Sequence, residues 1–96
     1  MKIALPLEQN SKNAKISAIA DAKVWALVEP KSSDMEIFQT KEEIKNRADY
    51  IVIKDKNEDI EEFLDEGIDI LIAPFQESVE DIIEAYMFKE LYELGS

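Results

Sequence analysis

The stretch DYIVIKDKNEDIEEFLDEGIDILIA, residues 49–73, decides the fold. Residues 50–53 and 68–73 are nearly continuous runs of β-branched and aliphatic side chains, a pattern typical of parallel strands covered on both faces. Between these runs, apolar side chains recur at the spacing of one helix face, at Ile60, Phe63 and Leu64. Gly67 is expected to end this helix, because glycine adopts the left-handed conformation without a Cβ penalty. The stretch therefore predicts a strand-helix-strand unit.

Three further strands are predicted, at residues 2–7, 24–28 and 35–38. The first is expected to run parallel to residues 50–53, because it too is almost continuously apolar. The other two are joined by the turn-rich residues 29–34 and form an antiparallel hairpin. The outer strand of the hairpin carries Glu36, a charge typical of a sheet edge. The predicted sheet is therefore mixed and five-stranded.

Three helices are predicted, and each has a candidate cap at its amino end. Thr40, followed three residues later by a glutamate, matches a capping box, in which a hydroxyl and a carboxylate bond free amides of the first turn. Asp55 with Glu58, or Asn57 alone, would cap the middle helix, and Ser78 the last one. The last helix carries an apolar stripe that is expected to pack on the sheet, at Val79, Ile82, Ile83, Tyr86, Met87 and Leu91. The order β-β-β-α-β-α-β-α indicates an α/β fold.

The length of the chain favours a single domain. Its 96 residues, 46% of them hydrophobic, suffice for one core and not for two. We assign residues 1–94 to this domain and leave the Gly95-Ser96 tail out of functional reasoning. No apolar run approaches the roughly 20 residues that span a bilayer. The first strand begins at once, without the long apolar stretch of a secretory signal, so a cytosolic location is expected.

Cysteine and histidine are both absent from the sequence. Their absence excludes disulfides, thiolate and imidazole metal ligands, and catalytic pairs that need a cysteine or a histidine. A hard-cation site made of carboxylates, carboxylate acid–base chemistry, and binding without chemistry stay open. We expect no catalytic residue, no metal held by the protein, and no hydrolase, nuclease or transferase activity.

The net charge of −11 is unevenly distributed along the chain. Residues 1–48 hold 8 basic and 7 acidic side chains, whereas residues 49–96 hold 3 basic and 15 acidic ones. Such a field repels phosphate backbones and anionic lipids, so neither nucleic acid nor a membrane is expected as a partner. The acidic side chains are also explained as the solvated faces of two helices.

Three familiar kinds of site do not match the sequence. Acidic residues from Asp55 to Glu66 have the spacing of a calcium loop, but Ile60 occupies the position of the required glycine. A two-metal nuclease would need carboxylates within the strands, and the first strand has none. Phosphate-binding loops need several glycines, and the chain has two in all.

Ligands of open α/β sheets bind beyond the carboxyl ends of the parallel strands. The residues in that position are Glu8, Gln9 and Asn10 after the first parallel strand, Lys54, Asp55 and Asn57 after the second, and Phe75 and Gln76 after the third. We take as candidate ligand contacts, and call the carboxyl-end rim, the set Lys54, Asp55, Asn57, Phe75 and Gln76. An ordinary polar loop with one surface aromatic has the same composition.

Four segments carry a family resemblance. They are MKIALPL at 1–7, ISAIADA at 16–22 leading into VWALV at 24–28, EGIDILIA at 66–73, and SVEDI at 78–82. Together they resemble the dinitrogenase iron-molybdenum cofactor biosynthesis family, which includes NifX-like carriers and the C-terminal domain of NifB. The likeness extends over nearly the whole chain and consists of short motifs.

The resemblance implies a ribonuclease H-like three-layer sandwich without nuclease chemistry, and a role in holding an iron-molybdenum or iron-sulfur cluster precursor. Ser17, in the motif at 16–22, is carried over as a ligand-binding residue. The sequence departs from the family at residues 54–57, where a glycine-rich loop is usual, and at residues 18–21, where a Phe-Gly-Arg-like element is usual. We therefore expect a non-enzymatic binding domain for an unidentified small ligand. The alternative is a protein-interaction or structural module that uses its acidic helices or its hairpin edge.

Overall fold

The computed structural model describes residues 1–11 and 13–94, so the Gly95-Ser96 tail lies outside the described residues. Its strands are β1 Ile3–Leu7, β2 Val24–Glu29, β3 Asp34–Phe38, β4 Tyr50–Ile53, β5 Asp69–Ile72 and β6 Tyr92–Glu93. Its helices are α1 Lys41–Ile44, α2 Glu61–Asp65 and α3 Val79–Met87, with a 3₁₀ turn at Ile19–Asp21. The strands form a sheet in the order β3-β2-β1-β4-β5-β6.

The predicted strand directions are confirmed. β1 pairs with β4, and β4 with β5, in parallel, whereas β2 is antiparallel to both β1 and β3. β3 therefore lies at one edge of the sheet, as predicted. The prediction of five strands is wrong, because the short β6 pairs antiparallel with β5 and forms the other edge. A strand of two residues is too short to show a periodicity in the sequence.

The sheet is covered on both faces. On one face, Ile51 of β4 packs with Ile44 of α1 and Phe63 of α2. On the other face, the next residue, Val52, packs with Ile82 of α3. Successive side chains of a strand point to opposite faces, so β4 requires an apolar residue at nearly every position. The result is a mixed α/β fold, and no helix in its described part is long and apolar enough to cross a membrane.

The caps of α1 and α3 differ in how well the sequence predicted them. The Ser78 hydroxyl accepts the amide of Asp81 at 3.1 Å, so the cap of α3 is confirmed. The Thr40 hydroxyl instead donates to the carboxylate of Glu43 at 3.1 Å, and it bonds no amide of α1. The predicted capping box is therefore wrong, because its two side chains bond each other and not the backbone amides.

The start of α2 also differs from the prediction. Residues 55–58 form a turn of their own, and the helix begins only at Glu61. Its N-cap residue is Ile60, whose side chain has no polar atom that could bond the first turn. The prediction that Asp55 with Glu58, or Asn57, caps this helix is wrong, since these side chains lie too early in the chain. Gly67 has a φ of 77°, which confirms the left-handed exit from the helix.

The end of α3 comes earlier than the apolar stripe indicates. The helix ends at Met87 in a Schellman motif, in which the amide of Glu90 donates to the carbonyl of Ala85 at 2.7 Å. Leu91 lies beyond the helix but still packs against the core. Met87 is 53% exposed, so the prediction that the whole stripe packs on the sheet is wrong. Helical spacing shows which residues share a face, but not where the face stops being covered.

Lys89, at the turn that follows α3, offers a test of this helix end. Its φ is 58°, and this left-handed conformation costs a residue with a Cβ roughly 1–2 kcal/mol. Replacing Lys89 by glycine is expected to raise the free energy of unfolding by about 1 kcal/mol, measured by urea denaturation. Lys89→Ala is the control, because it removes the same charge and keeps the Cβ. Equal stabilisation by both variants would show that the charge, and not the backbone, is responsible.

Candidate functional site

The loops that follow the three parallel strands meet at the backbone of Ile16. The amide of Ile16 donates to the carbonyl of Glu77 at 2.8 Å, and its carbonyl accepts the Lys54 ammonium at 3.4 Å. Ile16 also pairs with Leu7, at the end of β1, through an isolated bridge. Residues 8–10 are exposed at the start of the same loop. The structure therefore brings the segments after β1, β4 and β5 together at one end of the sheet, beyond the carboxyl ends of these strands.

The carboxylate of Glu58 organises the loop after β4. One oxygen accepts the amides of Lys54 and Asp55, at 2.8 and 2.9 Å, and the other accepts the amide of Ile19 at 2.7 Å. Charge-assisted bonds of this kind are stronger than bonds between neutral groups. A depression of about 220 Å³ lies beside this carboxylate. Glu58 thus fastens the loop to the 3₁₀ turn, a role that sequence reasoning missed.

Two of the predicted ligand contacts, Asp55 and Ser17, form hydrogen bonds within the chain. The Asp55 carboxylate accepts the amide of Asn57 at 2.9 Å and closes an Asx turn. Ser17 is 5% exposed, and its hydroxyl donates to the carbonyl of Ala18 at 2.8 Å. Asp55 and Asn57 stay exposed, and Lys54 is half-buried. The surface around Ile16 therefore presents Lys54, Asp55 and Asn57, while Ser17 lies beneath it.

Phe75 and Gln76 form a second part of the rim. Phe75 is 82% exposed, and the amide oxygen of Gln76 is buried without a hydrogen-bond partner in the described part of the chain. Both residues line a depression of about 320 Å³ together with Asp81 and Glu84 of α3. Their side chains therefore border α3, whereas Lys54 and Asp55 are drawn towards Glu58.

An ion-pair network joins α1 and α2 beside the rim. The ammonium groups of Lys41 and Lys45 each lie 2.8 Å from the carboxylate of Glu62. The hydrogen bonds from Lys41 and then Lys45 lower the pKa of Glu62 below its ordinary value of 4.5. The bond to Glu62 raises the pKa of Lys45. The network thus favours the charged form of both partners.

The lowered pKa of Glu62 makes the stability of the fold depend on acid. Because this pKa is lower in the folded than in the unfolded chain, its contribution is present above pH 4.5 and is lost as the pH falls through the folded-state pKa. Replacing Lys41 by methionine is expected to move the pKa of Glu62 back towards 4.5, measured by NMR titration of the carboxyl carbon. Lys56→Met, in the exposed loop, is the control. An unchanged pKa in the Lys41 variant would contradict the network.

A metal centre is not supported by the donor atoms of this chain. In residues 1–11 and 13–94, no three acidic side chains are grouped so that they could hold a metal ion. The sequence has no cysteine or histidine, and thiolates are the ligands that iron-sulfur clusters select. A metal cluster ligated by the protein's own side chains therefore does not fit.

A second concavity, which we call the tyrosine pocket, lies between β4, β5, the end of α3 and the segment that follows α3. It encloses about 410 Å³, a volume in the range of small-molecule sites, and its walls include Leu71 and Leu91. The rings of Tyr50 and Tyr86 meet edge to face in its wall, with centroids 6.1 Å apart. Burial raises the pKa of Tyr50, and the charge of Glu93 adds to this effect. Sequence reasoning missed this pocket, because it forms only when residues 89–93 fold back along β5.

Three solved structures match nearly the full length of this chain. The apo form of the orange protein from Desulfovibrio gigas has a TM-score of 0.78 at 11% identity, over 99% of this chain and 93% of its own. A candidate NifB protein from Thermotoga has a TM-score of 0.75 at 16% identity, over 99% and 94%. A candidate dinitrogenase from Methanocaldococcus jannaschii has a TM-score of 0.71 at 21% identity, over 100% and 96%.

The chain shares their fold. At 11 to 21% identity the likeness extends to the fold alone. Two of the three names belong to the nitrogenase-related proteins that the sequence motifs resemble. No protein-family model matches the sequence, and no curated protein does.

Proposed function

We propose that residues 1–94 form one non-enzymatic binding domain that carries a small ligand at the carboxyl-end rim. The observation that carries this proposal is the meeting of three strand-end loops at Ile16, in the position where open α/β sheets bind ligands. The names of the structural neighbours, NifB, dinitrogenase and orange protein, favour a binding domain of the cluster-related kind. Helices on both faces of the sheet support a ribonuclease H-like three-layer sandwich as its architecture.

The proposed ligand is a small polar molecule with hydrogen-bond acceptors. The ammonium of Lys54 and the side-chain amide of Asn57 supply donors at the surface of the rim. An iron-molybdenum or iron-sulfur precursor would have to bind through oxygen atoms or bring its own thiol, since the chain contains no cysteine. Soft metals bind such oxygen sites poorly, and this favours an organic ligand.

A role without chemistry is supported by what the carboxylates near the rim do. Glu58 accepts three amides, and Asp55 accepts one. A carboxylate has about four lone-pair positions, so backbone amides occupy most of those of Glu58. Both carboxylates hold the loop in shape, so we assign them a structural role.

Purification under anaerobic conditions tests this function. Native mass spectrometry of the purified protein is expected to show one bound organic molecule, and elemental analysis is expected to show no stoichiometric iron or molybdenum. Lys54→Met and Asn57→Ala should lose the ligand and keep their thermal stability. Lys56→Met is the matched control, since it removes a lysine from the same loop without a contact to Ile16, and it should keep the ligand.

Two results would overturn the proposal. Stoichiometric metal that survives removal of free thiols would show that a cluster binds after all. Ligand bound equally well by the Lys54 and Lys56 variants would remove the site from the rim. A second candidate function, an interaction with another protein, is favoured by a separate observation, the exposed apolar side chains near the end of the chain.

A further inference from the structure

The exposed apolar side chains of this protein are concentrated in one region. Seven large apolar residues of the described chain are exposed, and five of them lie at position 75 or between 87 and 94. We call four of them the C-terminal apolar surface: Phe75, Met87, Phe88 and Tyr92, which are 82, 53, 70 and 63% exposed. Soluble proteins rarely expose several large apolar side chains together unless another molecule covers them.

Three of these side chains, Phe75, Met87 and Tyr92, border two adjoining concavities. The tyrosine pocket includes Met87, and a neighbouring depression of about 370 Å³ includes Phe75 and Tyr92. Both are lined by Lys89 and Leu91, so they share a wall. The region therefore offers two places, side by side, where an apolar side chain of a partner can be buried. Such paired pockets are where the binding energy of protein interfaces concentrates.

The charges around this surface are almost all negative. Glu90 and Glu93 line the concavities, and Asp81 and Glu84 flank Phe75. They belong to the half of the chain that has 15 acidic and 3 basic side chains. A second copy, an anionic lipid or a nucleic acid would bring more negative charge to this region and be repelled. A positively charged partner is attracted.

We propose that the C-terminal apolar surface binds a basic amphipathic segment of another protein. Its apolar anchors enter the tyrosine pocket and the depression beside Phe75, and its lysines or arginines face Glu84 and Glu90. This mode is the docking of an amphipathic helix into an apolar groove with acidic margins. It shares Phe75 with the carboxyl-end rim but does not include Lys54 or Asn57. Loss of the small ligand in the Lys54 and Asn57 variants is therefore distinguishable from loss of the partner segment in the Tyr92 variant.

Calorimetric titration tests the proposal with a short synthetic probe of leucine and lysine in helical amphipathic order. Two comparison probes are the same peptide with glutamate in place of lysine, and a peptide of lysine alone. The full chain is expected to bind only the first of the three, with an affinity that falls as salt is added. Met87→Ser, in the tyrosine pocket, and Tyr92→Ser, in the neighbouring depression, should each weaken binding by about tenfold or more.

Matched variants separate this surface from general attraction between charges. Leu64→Ser removes an exposed apolar residue elsewhere, and Glu61→Lys reverses an exposed charge on α2. Both should leave the affinity within about twofold, whereas Glu84→Lys and Glu90→Lys should reduce it severalfold. The proposal would be overturned if Glu61→Lys weakened binding as much as Glu84→Lys and Glu90→Lys do. Binding of the lysine-only peptide would also overturn it. So would a dimer in light scattering that Tyr92→Ser dissociates, because a second copy would then be the occupant.

Discussion

Replacing Phe63 by alanine is expected to lower the free energy of unfolding by about 3–5 kcal/mol. Phe63 is fully buried, and its ring lies 5.8 Å from that of Trp25 across the core between α2 and the sheet. Because α2 has five residues and makes few backbone bonds of its own, it depends on this side chain to stay in place. Urea denaturation followed by far-ultraviolet circular dichroism measures the loss without relying on Trp25.

The adjacent residue provides the control for this variant. Leu64 lies on the same helix but is 51% exposed. Leu64→Ala should change the free energy of unfolding by no more than about 0.5 kcal/mol. A loss of similar size in both variants would contradict the role of ring burial, and helix propensity would not explain it, because alanine favours a helix more than phenylalanine or leucine does.

Replacing Glu58 by glutamine is expected to cost about 2–3 kcal/mol, because three amides lose their charged acceptor. Glutamine has a single acceptor oxygen, so it cannot bond Lys54, Asp55 and Ile19 as the carboxylate does. The bonds to the amides of Lys54 and Ile19 are partly buried, which is where an unmet hydrogen bond is costly. Urea denaturation measures the loss, and amide hydrogen exchange should show faster exchange at these three positions.

Asp65→Asn is the matched control for the Glu58 variant. It removes one negative charge from the same part of the chain at an exposed position. Its free energy of unfolding should stay within about 0.5 kcal/mol of the parent value. If both variants changed stability equally, the effect of Glu58 would be one of net charge and not of the three bonds.

The strands were predictable because burial on both faces produces a continuous apolar run in the sequence. A parallel strand such as β4 or β5 must be apolar at nearly every position, and the sequences of both strands meet this requirement. β6 has two residues, both exposed, and its place at the edge depends on β5 and not on its own side chains. The exposure of Met87 was unpredictable for a related reason, since helical spacing does not depend on whether anything covers the face.

The positions of the strand-end loops were predictable, whereas the hydrogen bonds between them were not. The loops after β1, β4 and β5 follow the carboxyl ends of parallel strands, and topology alone brings them together at Ile16. The role of Glu58 was missed, because a carboxylate three residues after Asp55 has the same spacing in a helix cap and in a turn. Its third bond, to the amide of Ile19, joins residues 39 positions apart and leaves no local pattern.

Backbone amide NMR tests the central claim most directly, that a small ligand is carried at the carboxyl-end rim. Spectra are compared between the protein as purified anaerobically and the same protein unfolded, freed of small molecules and refolded. Removal of the ligand is expected to shift the amides of residues 16–19 and 54–58, together with Phe75 and Gln76, and to leave Tyr50 and Tyr86 in the wall of the tyrosine pocket unchanged. Identical spectra before and after, or shifts confined to the tyrosine pocket, would contradict it.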